Sequence, residues 1–525
     1  MPRTFDPQPD RVAHPPAKPS IRPTGVPGAL WAAFGLALWA GLWLALLAYN
    51  GFSPPVDNAE QLSWVRSLEW GYYKHPPLPT VLLWPWVQAF GLNEWASYLA
   101  GALTTCVALL LSRRLLRELA GSHVANLATL GTLCIGYYNG RLNYYNHDTV
   151  LMLAVAAAAW CCWRAVEHRS RRAWLGLGLC LGLGALAKYQ IALAVLSVGA
   201  YWAWQGGWRD ALHRRGLIQA ALLAALLLSP HVLWMVANDF QPLHYASHNS
   251  DAPSYLQCSA DALRWIGDQL TQVLPALLLG GGLLAFSRPA AGANVGDTGL
   301  TSAADVVDGT AQAERRARVS AFLFCFGALP LLAMAVIGLT FGVRLHMNWA
   351  TAFMTLTCGW LMLRVGAARW QAVRWHHALA AFIAVQLLLA ALDWSASARG
   401  TPAFDQRRSR DFASQRLADE VGPPARAELG GPVRVIAGPQ RLASVLALRL
   451  AERPLVLIDG RYEISPWIPS ELASRCGVLW VGGADDPVPY DLDVHSLGPQ
   501  LWWGVARGSA EPGECGAARG VAAAQ

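Results

Sequence analysis

Long apolar segments separated by short polar ones fill the chain between residues 28 and 394. Most of them approach the roughly 20 residues that an α-helix needs to cross a bilayer. They lie at about 28–49, 93–112, 122–139, 147–164, 173–187, 189–206, 217–236, 266–287, 319–341, 348–364 and 375–394. This pattern predicts an all-α polytopic membrane protein with about 11 transmembrane helices. It does not fit an outer-membrane barrel, whose strands alternate in polarity.

The segment 173–206 is the ambiguous part of this map, because only Lys188 and Tyr189 interrupt it. It could be one long helix, two spans or a tight re-entrant pair. If the N-terminus is cytoplasmic and the segment is split, Lys and Arg concentrate in the cytoplasmic segments. The sequence therefore favours the split, with a cytoplasmic polar tail at residues 1–27 and residues 396–525 outside the bacterial inner (plasma) membrane.

The composition agrees with a membrane protein. Apolar residues make up 54% of the 525 residues and charged residues 14%, whereas a soluble domain carries about 25% charge. The formal charge of +7 does not indicate a nucleic-acid partner, because the basic residues lie in short clusters between apolar segments.

The C-terminal 396–525 region has a different pattern, in which Pro, Gly and charged residues return. Three short apolar runs lie at 433–437, 454–458 and 477–481. A helical segment at 442–452 lies between the first two. Strands that alternate with a helix predict a small α/β extracytoplasmic domain. Cys476 and Cys515 would then both lie in an oxidising compartment, where a disulfide between them is possible.

Titratable side chains collect on the predicted outer face of the membrane domain, residues 28–395. They are Asp57, Glu60, Lys74 and His75 in the first outer loop, 50–92, and Asp148, Lys188, Arg344 and His346 at later outer connections. Ionisable groups at a membrane are costly and usually functional. Each one alone could be a solvated loop residue or a topology anchor, so the functional interpretation rests on their convergence.

Five stretches in this region resemble glycosyltransferase family 39, which includes protein O-mannosyltransferases and lipid A aminoarabinose transferases. They are Asp57 with Trp70-Gly71-Tyr72-Tyr73 and His75-Pro76-Pro77-Leu78, then Asn146-His147-Asp148, then 182–189, 229–240 and 344–349. The resemblance implies the GT-C fold, an active site at the outer membrane surface, and a donor sugar carried on a polyprenyl phosphate. The acceptor would be a glycolipid, a glycan or a protein, and membrane lipid would surround the site.

The resemblance also implies roles for particular residues. Asp57 matches the family's catalytic acid and would remove the proton of an acceptor hydroxyl, with inversion at the anomeric carbon. Asp148 matches a second acid that orients the acceptor or supports the first. Cations would stabilise the leaving phosphate, and the candidates are Lys74, His75, Lys188 and Arg344. The candidates for other substrate contacts are Glu60, Tyr72, Tyr73, His346 and Trp349.

The sequence departs from the family pattern in two places. Asn58 stands where the family often has Glu, a loss for which Glu60 could compensate. Lys74-His75-Pro76 stands where the aminoarabinose branch has Glu-Lys-Pro, which weakens the case for aminoarabinose and for the zinc site of that branch. No metal ligands are predicted, and no cofactor is certain, although a divalent metal is possible. His244 and His248 could be a metal pair, but they are more typical of surface residues.

Two alternatives remain at the level of sequence. A transporter or flippase for a lipid-linked saccharide would also place ionisable groups near aqueous cavities, but near the bilayer midplane and in related halves. A member that binds the lipid-linked sugar without turnover is the other alternative. The enzyme is favoured because the ionisable groups collect at one face.

Overall fold

The computed structural model describes residues 26–250, 255–287, 303–397, 400–401, 406–489, 491–497, 500–511 and 514–517. Almost all of the predicted N-terminal tail, 1–27, therefore lies outside the described residues.

α-Helices account for most of the described chain. The first ten are α1 Val26–Asn50, α2 Val56–Trp64, α3 Leu78–Phe90, α4 Glu94–Ala120, α5 Ser122–Leu133, α6 Gly136–Asn139, α7 His147–Val166, α8 Arg171–Ala187, α9 Ala192–Trp204 and α10 Ala211–Ala237. The others are α11 Gln241–Ser250, α12 Tyr255–Phe286, α13 Ala303–Gly327, α14 Leu329–Phe341, α15 Thr357–Val365, α16 Ala367–Gln371, α17 Trp375–Ala396, α18 Ser414–Leu429, α19 Gln440–Ala447 and α20 Ser470–Cys476.

Six helices in the described part are long and apolar enough to cross a membrane, namely α1, α4, α7, α10, α12 and α17. Helices α13 and α14, which meet at a bend of 44°, would make a seventh if they form one span. The prediction of an all-α polytopic membrane protein is confirmed. The number of about 11 spans stays a prediction, because several of the apolar segments fold as shorter helices, such as α5 with 12 residues and α9 with 13.

The ambiguous segment breaks at Lys188. Helix α8 ends at Ala187, Lys188 is extended with φ −161° and ψ 140°, and one 3-10 turn leads into α9. The predicted division into two helices is therefore present, and it leaves the Lys188 side chain at the junction between them.

The first outer loop contains two helices, α2 and α3, which the sequence analysis did not predict. Helix α3 has 13 residues, with Pro79 in its first turn and Pro85 in its interior. It is apolar but too short to cross a bilayer. Helix α2 carries Asp57 in its first turn, and its packing therefore decides where that carboxylate lies.

The C-terminal region contains a mixed five-stranded sheet. Its strands are β1 Val435–Gly438, β2 Leu455–Ile458, β3 Val478–Gly483, β4 Val494–Leu497 and β5 Leu501–Ala506. Their order is β2-β1-β3-β5-β4. Strand β1 pairs in parallel with β2 and β3, while β5 is antiparallel to β3 and β4. The three predicted strands and the helix between the first two are present, and the hairpin of β4 and β5 was not predicted.

The core of this sheet region is continuous with the first outer loop. Ala59 and Leu62 of α2 are fully buried in the same apolar cluster as Leu446 of α19 and the β-strands. An ion pair of 2.7 Å between Arg449 and Glu94 joins the region to the start of α4. The helix that carries Asp57 is thus packed between the membrane helices and the C-terminal sheet.

The disulfide between Cys476 and Cys515 is formed, with Cα atoms 5.7 Å apart and 39 residues of separation along the chain. It links the end of α20 to the last described turn. The possibility raised by the sequence is therefore confirmed.

Replacing Cys515 by Ser should destabilise the C-terminal sheet. Opening a loop of this length returns chain entropy to the unfolded state, and the expected loss is about 4 kcal/mol of unfolding free energy. Limited proteolysis of the detergent-solubilised protein across a urea series would measure it. The control is Cys106→Ser, which removes a free, partly buried thiol. Equal protection of the C-terminal region in both variants would contradict the expectation.

Candidate functional site

Two cavities lie beside the first outer loop. The Asp57 cavity has a volume of about 640 Å³, and the Lys74 cavity has about 890 Å³. The charged side chains of the Asp57 cavity are Asp57, Arg141, Asp261, Arg264, Asp268, Arg344 and Arg441. Those of the Lys74 cavity are Lys74, Asp239, Arg441, Asp459, Arg461 and Glu463. Arg441, in the first turn of α19, borders both cavities, so the C-terminal region forms part of each wall.

The Asp57 carboxylate is oriented by Asn146. The Asn146 side-chain amide donates a hydrogen bond of 2.8 Å to Oδ2 of Asp57, and its Oδ1 accepts one of 3.0 Å from the backbone N–H of Thr149. Asn146 therefore caps α7 and fixes Asp57 with the same side chain. Within the described residues no donor reaches Oδ1 of Asp57, and this oxygen is free to accept a proton.

Asn58 holds the backbone next to Asn146 in place. Its fully buried side chain donates to Oγ of Ser97 at 2.9 Å and to the carbonyl of Asn143 at 2.8 Å, and accepts from the N–H of Tyr145 at 3.0 Å. An ionised glutamate accepts hydrogen bonds but cannot donate them. The Asn that departs from the family pattern is therefore matched to two acceptors in this protein.

Asp148 and Lys188 form a largely buried ion pair of 2.8 Å, with side chains 9% and 13% exposed. The ammonium group also lies 5.8 Å from the centre of the Trp349 ring. Two of the predicted site residues are thus brought together, and the charge of Lys188 is balanced by Asp148.

Lys74 and Glu60 form a second ion pair of 2.6 Å, and each side chain is 11% exposed. The Lys74 ammonium also lies 5.2 Å and 5.4 Å from the ring centres of Tyr73 and Tyr245. Burial raises the pKa of Glu60, and Lys74 opposes that rise only in part. Burial disfavours the charge of Lys74, but Glu60 and the two tyrosines outweigh this effect and raise the pKa of Lys74.

Replacing Lys74 by Met should make stability depend more strongly on pH. Without the lysine, the pKa of Glu60 rises further above the 4.5 of a free glutamate. The folded protein then binds more protons than the unfolded chain, so stability falls as pH rises from 4.5 through the folded pKa, by at most about 1.4 kcal/mol per pH unit. Melting in detergent at pH 5 and pH 8 would measure this. The double variant Lys74→Met with Glu60→Gln should lack this additional pH dependence. If it persists there, Glu60 is not the titrating group.

His75 and Tyr72 lie in surroundings that do not favour the roles predicted for them. The ring centre of His75 is 4.0 Å from that of His147. Desolvation, His147, Lys188 and Lys74 together lower the pKa of His75 well below its ordinary value of 6.5. A neutral imidazole lacks the charge expected of a phosphate-binding cation. Tyr72 is 2% exposed and stacks on Trp64, with ring centres 4.5 Å apart, whereas Tyr73 borders the Lys74 cavity.

The first outer loop is fixed to α10 through a buried histidine. The hydroxyl of Tyr189 lies 2.8 Å from Nε2 of His231, and Nδ1 of His231 lies 2.7 Å from the carbonyl of Trp70. Because the carbonyl can only accept, Nδ1 carries the proton and Tyr189 donates to Nε2. A side chain at Gly71 would overlap the ring of Trp234. The stretches at 182–189 and 229–240 therefore support the loop mechanically.

The connection that contains Arg344, His346 and Trp349 borders the Asp57 cavity. Arg344 and His346 are exposed and face this cavity, and the backbone carbonyl of His346 accepts a hydrogen bond of 3.0 Å from the indole of Trp265. Arg141, which the sequence analysis did not select, donates to the side chain of Asn348. The signal that could have found it is its position as an outer cation close to the Asn146 motif.

The described residues contain no group of three or more His, Cys, Asp or Glu side chains that could hold a metal ion. His244 borders the Lys74 cavity, and the side chain of His248 lies outside the described residues.

The chain was compared with known families and proteins. The sequence model of the family described as dolichyl-phosphate-mannose-protein mannosyltransferase matches residues 74–234. An undecaprenyl phosphate-α-4-amino-4-deoxy-L-arabinose arabinosyl transferase of Pseudomonas aeruginosa strain LESB58 is 37% identical over 139 residues, which is 25% of this chain and 24% of the relative. The lipid A galacturonosyltransferase RgtD of Rhizobium johnstonii is 26% identical over 218 residues, which is 39% of this chain and 42% of the relative.

The crystal structure of ArnT from Cupriavidus metallidurans bound to undecaprenyl phosphate superposes with a TM-score of 0.53 at 14% identity, covering 91% of this chain and 98% of that one. The resemblance to glycosyltransferase family 39 is confirmed. The GT-C fold extends over most of the chain. The matched segments span less than half the length of these two curated relatives. The family 39 match at 74–234 contains Asp148 and Lys188 but not Asp57.

Proposed function

We propose that this protein transfers a sugar from a polyprenyl phosphate to a hydroxyl group of a glycolipid, glycan or protein acceptor. The observation that carries the proposal is the Asp57 cavity, where the carboxylate that Asn146 orients lines the same space as four arginines, among them Arg141 and Arg344. A carboxylate and several cations around one cavity suit a reaction in which a hydroxyl loses a proton while a phosphate leaves. The two curated relatives support the same class of reaction. One is named for an undecaprenyl phosphate sugar, and the other is named as a lipid A galacturonosyltransferase.

The proposed reaction is a single displacement at the anomeric carbon. The acceptor oxygen forms the new bond to that carbon, its proton passes to Oδ1 of Asp57, and the bond from the carbon to the phosphate oxygen breaks. The lipid phosphate leaves with its negative charge increased, and Arg344 and Arg141 stabilise it. Attack from the side opposite the leaving group inverts the configuration.

The two ion pairs serve this site in different ways. Lys188 with Asp148 lies at the start of α7, next to Asn146, and supports the orientation of Asp57. Lys74 with Glu60 borders the Lys74 cavity, one helical turn from Asp57. We assign the lipid phosphate to the Asp57 cavity, where four arginines outnumber three aspartates. We assign the body of the acceptor to the Lys74 cavity, from which its reacting hydroxyl would reach Asp57. The N-terminus would be cytoplasmic, and the site would face outward from the inner membrane.

Donor consumption in reconstituted vesicles tests the proposal. Vesicles containing the protein receive a polyprenyl phosphate with a radiolabelled sugar, with or without a cell-envelope acceptor fraction. We expect label to leave the lipid and enter the acceptor fraction only when the vesicles contain the protein and the acceptor fraction has been added. If label instead changes leaflet while it stays on the lipid, the protein is a flippase and the transferase is excluded. If label stays where it was added under all conditions while the protein retains the labelled donor on repurification, the protein binds the donor without turnover and the transferase is excluded.

A further inference from the structure

A third cavity of about 470 Å³ lies far from the candidate site, between α1, α4, α5 and α17. Its apolar wall contains Leu36, Leu109, Leu130, Leu133, Leu379 and Phe382. The two arginines that border it, Arg113 and Arg117, lie near the end of α4. Helix α4 begins at Glu94, beside the C-terminal region, and rises about 1.5 Å per residue. The groove therefore lies roughly 30 Å along α4 from the end that carries the candidate site.

The polar end of this groove carries positive charge without an acidic partner. Nε of Arg113 donates to the side-chain oxygen of Asn126 at 2.9 Å, which orients the guanidinium. No carboxylate within the described residues forms an ion pair with Arg113 or Arg117. Helix α5 begins beside them at Ser122 with no side-chain cap, so its first N–H groups add partial positive charge to the same end.

The apolar part of the groove opens to the surroundings of the bundle. Trp31 on α1 is 73% exposed and Trp375 at the start of α17 is 44% exposed, and both border the groove. Exposed indoles at helix ends are typical of the level where lipid headgroups meet the acyl chains. The cations and these two indoles thus lie at the same end of the bundle, and the apolar wall extends from them as an acyl chain extends from a headgroup.

We propose that this groove binds one anionic phospholipid from the leaflet opposite the candidate active site. Its phosphate would accept hydrogen bonds from Arg113 and Arg117, and one acyl chain would lie between α1 and α17. Guanidinium groups suit phosphate because they donate in a planar fork. This lipid would be distinct from the polyprenyl phosphate, whose phosphate is assigned to the other end of the bundle.

Native mass spectrometry of the delipidated full-length protein tests the proposal. The protein is titrated with dioleoyl phosphatidylglycerol, dioleoyl phosphatidylcholine or inorganic phosphate. We expect the wild type to prefer phosphatidylglycerol. The double variant Arg113→Gln with Arg117→Gln should bind it about thirtyfold more weakly, because each cation near the headgroup contributes about fivefold to the affinity. Phosphatidylcholine, whose phosphate is balanced by its own choline cation, should bind weakly to the wild type and lose less affinity than phosphatidylglycerol in the double variant.

The matched control is the double variant Arg114→Gln with Arg164→Gln. It removes the same charge from the same end of the bundle, but both guanidiniums lie over the ring of Trp160, at 5.2 Å and 5.5 Å, and outside the groove. It should bind phosphatidylglycerol like the wild type. If both double variants lose the same affinity for phosphatidylglycerol, the loss is a general effect of charge and the proposed site is wrong. Displacement of the lipid by millimolar inorganic phosphate would overturn the lipid as the ligand.

Discussion

Asp57→Asn should reduce turnover of the donor by about a hundredfold or more, because a general base contributes about 10²–10⁴ to the rate. The amide that replaces the carboxylate cannot take up the proton of the acceptor hydroxyl. Its carbonyl oxygen can still accept the hydrogen bond from Asn146, so α2 and the start of α7 should keep their relation. Single-turnover sugar transfer in vesicles, measured with a saturating donor, would report the loss as a change in rate at constant donor binding.

The control for this variant is Asp268→Asn. Asp268 borders the same cavity from α12, and its replacement changes the local charge by the same amount. We expect it to keep most of the activity. If the two variants lose activity equally, or if Asp57→Asn keeps more than about a tenth of the wild-type rate, Asp57 is not the base.

Lys188→Met should destabilise the protein by about 3–5 kcal/mol, the cost of leaving a buried carboxylate without its partner. The side chain of Asp148 is 9% exposed, so bulk water reaches the carboxylate poorly once the ammonium is lost. Thermal unfolding in detergent would measure the effect, with the reaction of newly exposed thiols or aggregation as the readout. Activity should fall as well, because Asp148 belongs to the first turn of α7, close to Asn146.

The double variant Lys188→Met with Asp148→Asn separates charge from packing. Once both charges are gone, no unpaired ion remains in the interior, and most of the stability should return while activity stays low. Lys188→Arg keeps the charge but changes the shape of the donor, so it should be closer to the wild type in stability than Lys188→Met. Additive losses in the double variant would show that the two side chains do not depend on each other.

The sequence predicted those features that leave a local pattern. Lys188 interrupts an apolar segment, and the helices end there. Alternation of apolar strands with a helix predicted β1, β2 and β3, and a common oxidising compartment suggested the disulfide that joins Cys476 and Cys515. The outer loop residues Asp57 and Lys74 were selected because charges beside apolar segments are costly, and both border cavities.

Features that depend on long-range contacts could not be predicted in this way. Asn58 bonds to the backbone of Asn143 and Tyr145, far along the chain, and a neutral amide in a charged loop carries no signal of that role. His75 was predicted as a cation because it lies among charged residues. Burial, followed by the neighbouring ring of His147, lowers the pKa of His75, and both causes arise only when the loop packs against α7.

The shared core of α2 and α19 has a consequence for building chimaeras from this protein and its relatives. A junction near residue 396 would look natural, since the membrane helices end there. It would, however, join a C-terminal region from one parent to an α2 from another, and in this protein the two parts share one apolar core. A chimaera designed to exchange acceptor preference should therefore take residues 56–64 and the C-terminal sheet from the same parent.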